Sequence, residues 1–165
     1  MDEFDDIAAN LGRLSKRLSE DAAERFNEMR KCSFFDPLPD ECLEPISKLA
    51  KIRTFSADDL ITEEDGGMNT FYVILLGSAS AYRNDKVVGT IHQGEGIGEG
   101  SFFASEITSR SATVFADEQT IVAEISKTDI DNLNSKVRTY MDKALMLALF
   151  KKLQGANRLI EELLS

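Results

Sequence analysis

The chain has 165 residues, enough for one packed domain with some appended helix, and 42% hydrophobic residues can form a single core. Its 29 acidic against 19 basic side chains leave a net charge of −10, which argues against nucleic acid as a partner of this chain alone, because phosphate contacts need clustered cations. No apolar run approaches the ~20 residues of a membrane span, and the acidic start Met1-Asp2-Glu3-Phe4-Asp5-Asp6 lacks the basic, then apolar, pattern of a signal peptide. The expectation is a cytoplasmic chain with no membrane partner, whose two cysteines, Cys32 and Cys42, are free buried thiols.

Residues 3–31 are predicted as one amphipathic helix. Phe4, Ile7, Leu11, Leu14 and Leu18 recur at three- and four-residue steps, and Ala22, Phe26 and Met29 continue the face. Such a stripe packs either on its own domain or against a partner. Asp36-Pro37-Leu38-Pro39 then blocks regular structure, and a second helix is predicted from about Asp40, burying Leu43, Ile46 and Leu49. No chemistry is assigned to this stretch.

From Ile52 to Ile125 the period shortens. Strands are predicted at Ile52–Phe55, Leu60–Thr62, Phe71–Leu75, Ala79–Tyr82, Val87–Ile91, Ser111–Phe115 and Ile121–Glu124, with Asn84-Asp85 as a tight hairpin turn. Short strands punctuated by Gly, Asn and Asp suggest an α+β, mainly β, fold: a jelly-roll-like β-barrel with N-terminal helices and a long C-terminal helix. The division is an N-terminal helix over 1–31, the barrel over 32–125 and C-terminal helices over 126–165.

The insert Gly94-Glu95-Gly96-Ile97-Gly98-Glu99-Gly100-Ser101-Phe102-Phe103, followed by Arg110-Ser111-Ala112-Thr113-Val114, carries the chemistry. Clustered glycines and the start of a short helix turn backbone N–H groups toward an anion. An arginine fork matches a phosphate. A carboxylate beside them is suited to sugar hydroxyls instead, so the set reads as a nucleotide site. Residues 30–133 resemble a cyclic nucleotide-binding domain: Ile97-Gly98-Glu99 with Phe102-Phe103, and Arg110-Ser111-Ala112-Thr113-Val114, are similar to the two halves of that family's phosphate-binding cassette. Leu60-Ile61, Glu64-Asp65-Gly66 and Phe71 through Gly77 resemble its early strands and turns. Gly100 departs from the family's usual larger apolar residue.

The resemblance implies that Arg110 pairs with the cyclic phosphate, supported by the amides near Gly100 and Ser101. It also implies that Glu99 accepts from the ribose 2′-hydroxyl, Gly98 allows close backbone approach, and Ser111 adds a hydroxyl beside the phosphate. Phe102 and Phe103 are expected to anchor the short helix in the core. The expected ligand is cyclic AMP (cAMP) ahead of cyclic GMP (cGMP). In the transcription-factor branch of the family a helix-turn-helix would begin near Ser165, so this chain alone is not expected to read DNA.

Thr128 is expected to cap a short helix over 129–133, followed by a long helix over about 135–164. Met146, Leu149, Leu153, Ala156, Ile160 and Leu163 form a heptad-like seam on it, which predicts a homodimer through this helix. By the resemblance Ala156 and Asn157 lie nearest the purine, where Asn157 offers donor and acceptor. His92 is the sole histidine and there are only two cysteines, so neither a multi-histidine metal site, an iron–sulfur cluster nor a catalytic triad is expected, and the chain is read as a sensor rather than an enzyme. The alternative is an interaction or scaffold protein whose barrel binds no nucleotide, or another small anion.

Overall fold

The computed structural model describes residues 3–62, 70–98 and 112–165. Chain order is α1 (Glu3–Glu20), α2 (Ala22–Arg30), a 310 turn (Ser33–Phe35), α3 (Asp40–Leu49), strands β1 (Lys51–Phe55), β2 (Leu60–Thr62), β3 (Thr70–Leu76), β4 (Ala79–Arg83), β5 (Lys86–Ile91), β6 (Gly96–Ile97), β7 (Thr113–Ala116) and β8 (Thr120–Ser126), then α4 (Lys127–Asp131) and α5 (Ser135–Leu164). Two antiparallel four-stranded sheets, ordered β1-β8-β3-β6 and β2-β7-β4-β5, make the mainly β body expected from the sequence. Among the described residues no helix is long and apolar enough to cross a membrane.

Alternation along β3 and β8 explains their unbroken apolar runs. Phe71, Val73 and Leu75, with Ile121, Ala123 and Ile125, face the helices and join Met29, Phe35, Leu43 and Met141 in one buried cluster. Ile74 and Val122 point the other way, into a second cluster between the sheets with Ile61, Ala79, Ile97 and Val114. A strand buried on both faces has no polar side to show. The β4–β5 hairpin turns at Asn84 and Asp85, both with positive φ (51° and 65°), the geometry of a two-residue hairpin turn that follows the twist of its strands.

The N-terminal helix differs from expectation. It breaks at Asp21, which is extended (φ −117°, ψ 106°) and whose side chain accepts from the N–H groups of Ala23 and Glu24 at 2.9 and 3.2 Å. An aspartate that caps a new helix competes with continuation of the old one. The apolar stripe consequently docks only near its end: Leu18 is buried, Leu11 and Leu14 are half-buried against the core, and Ile7 is exposed. On α3, Leu43 and Ile46 are buried as expected, whereas Leu49 lies at the surface. α4 starts two residues earlier than expected, with Ser126 rather than Thr128 at its N-cap. Both cysteines are free and buried.

Arg25 locks the corner left by the break. Its guanidinium donates to Leu18 O and Ser19 O (both 3.0 Å) at the end of α1, and to Ser47 O (2.8 Å) near the end of α3. A buried cation satisfies the unpaired carbonyls of two helix C-termini and complements both dipoles. Arg25→Met keeps the aliphatic bulk but orphans these carbonyls. We expect it to lower stability by about 2–4 kcal/mol in urea unfolding; a loss within about 0.5 kcal/mol would show that the corner is held by apolar packing alone.

Candidate functional site

A cleft of about 720 Å³ opens between the β4–β5 hairpin, the 310 turn and the inner face of α5. Its construction begins at Gly94, with φ +86°, a conformation that costs a residue bearing Cβ. A Cβ there would sit 3.2 Å from Ser33 N and 3.5 Å from Cys32 Cα, so the glycine also permits close approach of the 310 turn. Gly94 donates to Ile74 O (2.7 Å) and accepts from Phe34 N–H (3.1 Å), which clips the turn onto the sheet. Glu95 closes the same corner by accepting from His92 N–H at 2.9 Å.

Arg30 fixes the outer side of that turn, donating to Phe35 O (2.6 Å) and Leu38 O (2.7 Å) and pairing with Asp40 at 3.0 Å. Phe34 stacks its ring 5.3 Å from that of Phe71. Ser33, Phe34, Asp36 and Pro37 therefore form one wall of the cleft, a role not read from the sequence. Arg83, Thr90 and Ile91 supply the hairpin wall, and Ala144, Ala148, Lys151, Lys152, Gly155 and Ala156 the roof.

The charge of the lining runs against that of the chain. Among the described residues Arg83, Lys151 and Lys152 oppose Asp36 and Glu95, three basic to two acidic, in a protein of net charge −10. Such a local excess favours an anionic ligand. Lys152 Nζ donates to Gly96 O at 3.0 Å across the mouth, tying the roof to β6.

The expected site residues fall into two groups. Gly98 follows β6 directly and takes φ +79°. Glu99, Gly100, Ser101, Arg110 and Ser111 lie outside the described residues, as do Phe102 and Phe103. Gly96 and Ala112, on either side of that segment, both line the cleft. On α5, Gly155 and Ala156 line it, and a Cβ on Gly155 would meet nothing within 4 Å. Asn157, expected at the purine, is exposed and does not line the cleft. Each helical step turns about 100°, so residues 155 and 157 point to opposite sides. Sequence reasoning also missed β6, too short to show a period, and the cleft positions of Arg83 and Lys152.

A double sheet with helices at both ends and a cleft roofed by its last helix defines a class of small-ligand-binding barrel. The family model for the cyclic nucleotide-binding domain matches residues 52–136, and the chain belongs to that family. A cGMP-dependent protein kinase of Eimeria tenella is 24% identical over 134 residues, covering 81% of this chain and 13% of the kinase. The Pycsar effector protein BcPycTIR of Burkholderia cepacia is 27% identical over 115 residues, 68% of this chain and 38% of the effector. The chain thus spans well under half the length of these relatives. The regulatory domain of Toxoplasma gondii PKA, solved with cAMP, superposes with a TM-score of 0.63 at 17% identity, over 74% of this chain and 48% of that one.

Two measurements probe this architecture. Beyond Leu145 no residue of α5 is buried, so the Lys152–Gly96 bond matters to how firmly the roof sits. Lys152→Met is expected to speed amide hydrogen exchange in α5 from about residue 148 outward, with global stability changed by under about 0.5 kcal/mol. Unchanged exchange would mean the roof is held without that bond.

The second concerns Cys32, whose Sγ lies 3.8 Å from Ile74 O and whose pKa is pushed from 9.0 to about 12 by burial, then by Glu28 and Asp36. The fold favours the neutral thiol, so its contribution is complete below pH 9 and lost as pH rises toward 12. Compared with Cys32→Ala, the wild type is expected to lose more stability in urea between these limits; parallel pH profiles would refute it.

Proposed function

We propose that this domain is a cyclic nucleotide sensor that passes ligand binding to its surroundings through α5, with cAMP preferred over cGMP. The observation that carries the reading is the cleft itself: Gly96 and Ala112, which bracket the Gly98–Ser111 cassette, both line it beneath α5. In this reading Arg110 pairs with the cyclic phosphate as a two-pronged donor. The amides near Gly100 and Ser101 support it, Ser111 adds a hydroxyl, and Glu99 accepts from the ribose. Gly98 gives the backbone room beside the sugar. Lys151 and Lys152 add positive potential from above, and Gly155 leaves space for the base.

A cyclic nucleotide in the cleft touches both sheet and roof, so it favours the state in which α5 lies closed. It can shift that balance only by its difference in affinity for the two states. Association of two copies through α5 belongs to the same proposal, because the roof helix is then the element that a second protomer would feel.

Thermal melts of wild type and Arg110→Ala with cAMP, cGMP, linear AMP and no ligand test the assignment. At 100 times its Kd a ligand adds about 2.7 kcal/mol, or roughly 5–10 °C for a chain of this size. The expected result is a shift with cAMP, a smaller one with cGMP, and none with AMP or in the variant. An equal shift in Arg110→Ala would remove Arg110 from the site. No shift with either cyclic nucleotide would overturn the sensor reading.

A further inference from the structure

The β2-β7-β4-β5 sheet buries one face against the other sheet through Ile61, Ala79 and Val114. Its other face points outward, where alternation predicts polar residues. Apolar side chains stand there instead. Register pairs Leu60 of β2 with Phe115 of β7, and Tyr82 of β4 with Val87 of β5. Phe115 and Tyr82 join the two middle strands edge to face, with ring centroids 5.7 Å apart. The band thus crosses all four strands, about 14 Å at ordinary strand spacing. At its two ends Leu60 is 41% and Val87 59% exposed. Beside its aromatic centre lies an open pit of about 570 Å³, lined by Tyr82, Phe115, Thr113, Asn84 and Asp85.

The rim of this band is acidic, and its carboxylates are held in place. Asp117 accepts from Ser80 at 2.7 Å and from Ser78 at 3.4 Å, and Ser80 shares the face of its register partner Phe115. Asp58 and Asp59 precede Leu60. Their loop is clipped to β7 by Asp58 N–H to Ala116 O (2.8 Å) and Ala116 N–H to Asp59 O (2.9 Å). Asp85 closes the opposite end at the hairpin turn. Arg83 and Lys86 pair one step beyond Tyr82 and Val87, so they belong to the other face, where Arg83 lines the cleft.

We propose that this face docks a partner protein through a basic, apolar segment, with an arginine in the pit and aliphatic side chains over Leu60 and Val87. An exposed apolar band with a polar rim marks an interaction surface, and the sign of the rim selects the partner. A second copy of this chain, at net charge −10, would bring like charge to Asp58, Asp59, Asp85 and Asp117. Nucleic acid and anionic lipid surfaces are disfavoured for the same reason. A guanidinium stacks on an aromatic ring while its fork pairs with a carboxylate. Tyr82 and Phe115 offer the rings, and Asp85 the carboxylate. The β4–β5 hairpin therefore has two uses, Arg83 toward the cleft and Tyr82 toward the partner. Nothing in this assignment depends on which ligand the cleft takes.

The test titrates the full chain, followed by amide NMR, with short peptides in which arginine alternates with leucine, arginine with serine, or glutamate with leucine. The arginine–leucine peptide is expected to shift the signals of Leu60, Tyr82, Val87 and Phe115 first, and to bind at least about ten-fold more tightly than the other two. Val87→Lys places a cation in the exposed end of the band and is expected to weaken that binding about ten-fold. Asp85→Asn keeps a residue that tolerates the positive φ of this turn, and is expected to weaken it about three-fold, the scale of an exposed ion pair. Both variants are expected to melt with the wild type. Shifts centred on the acidic helices or on the cleft would overturn the proposal. So would equal binding of the arginine–serine peptide, an unchanged Kd in either variant, or no saturation by ~1 mM peptide. The melts with cyclic nucleotide read a different face, so a failed docking surface and a failed ligand assignment are told apart.

Discussion

The pairing of β3 with β8 is the constraint on which the rest of the molecule depends. Each strand is buried on both faces, so one ladder belongs to two cores at once: helices rest on Phe71, Val73 and Ile125, while the barrel closes on Ile74 and Val122. A one-residue slip would exchange the two sets of side chains between the layers. The same ladder sets the position of the cleft. β6 pairs with β3 at Tyr72 and Val73, and Ile74 O receives the N–H of Gly94. The corner that holds the 310 turn is therefore hung directly on a strand buried on both faces.

From that corner outward, rigidity decreases. The 310 turn is clipped from inside by Gly94 and from outside by Arg30, and α2 is anchored through Arg25 to the ends of α1 and α3. α5 is buried only through Val137, Met141, Ala144 and Leu145, after which it runs across the cleft with one face lined by small residues and lysines. Elements with few buried contacts and much exposed backbone open at low free energy. The cleft thus has two firm walls and a roof that is firm only at its near end, an arrangement suited to admitting a ligand and responding to it.

The fold was largely legible because the strand signals were local. Asn84-Asp85 announces its hairpin, and Phe71–Leu75 announces a strand. Other features depended on information that no window of sequence contains. Asp21 interrupts a helical stripe that looks continuous, because capping energy outweighs the periodicity of Leu14, Leu18, Ala22 and Phe26. Gly94 reads as part of a glycine-rich insert, whereas its role is to let Ser33 approach from 61 positions earlier in the chain. On α5 the heptad pattern admits two registers one residue apart at alternate positions. Only the docking of Ala144 and Ala148 on the barrel selects which of Ala156 and Asn157 looks inward. The cassette was read from its residue types, and the described structure contributes its two flanks, Gly98 and Ala112.

The two faces of α5 give nucleotide binding and self-association, the two halves of the sensor proposal, a common physical basis. A helix that roofs a cleft with Lys152 and Gly155, and presents Phe150 and Asn157 to the opposite side, cannot tilt on one face without displacing the other. In the reading put forward above, a nucleotide beneath the roof and a second copy against its back act on one rigid rod. Two ligands that bias the same two-state element are coupled, and the coupling is reciprocal: whatever factor the nucleotide contributes to pairing, pairing returns to nucleotide affinity. Its sign is set by whether the closed roof holds the seam straight or bends it away from its twin. A rod buried only up to Leu145, and tied beyond it through Lys152 to Gly96 O, gains order from either partner, and the first to bind bears the larger entropic cost. Positive coupling is the outcome that this geometry favours.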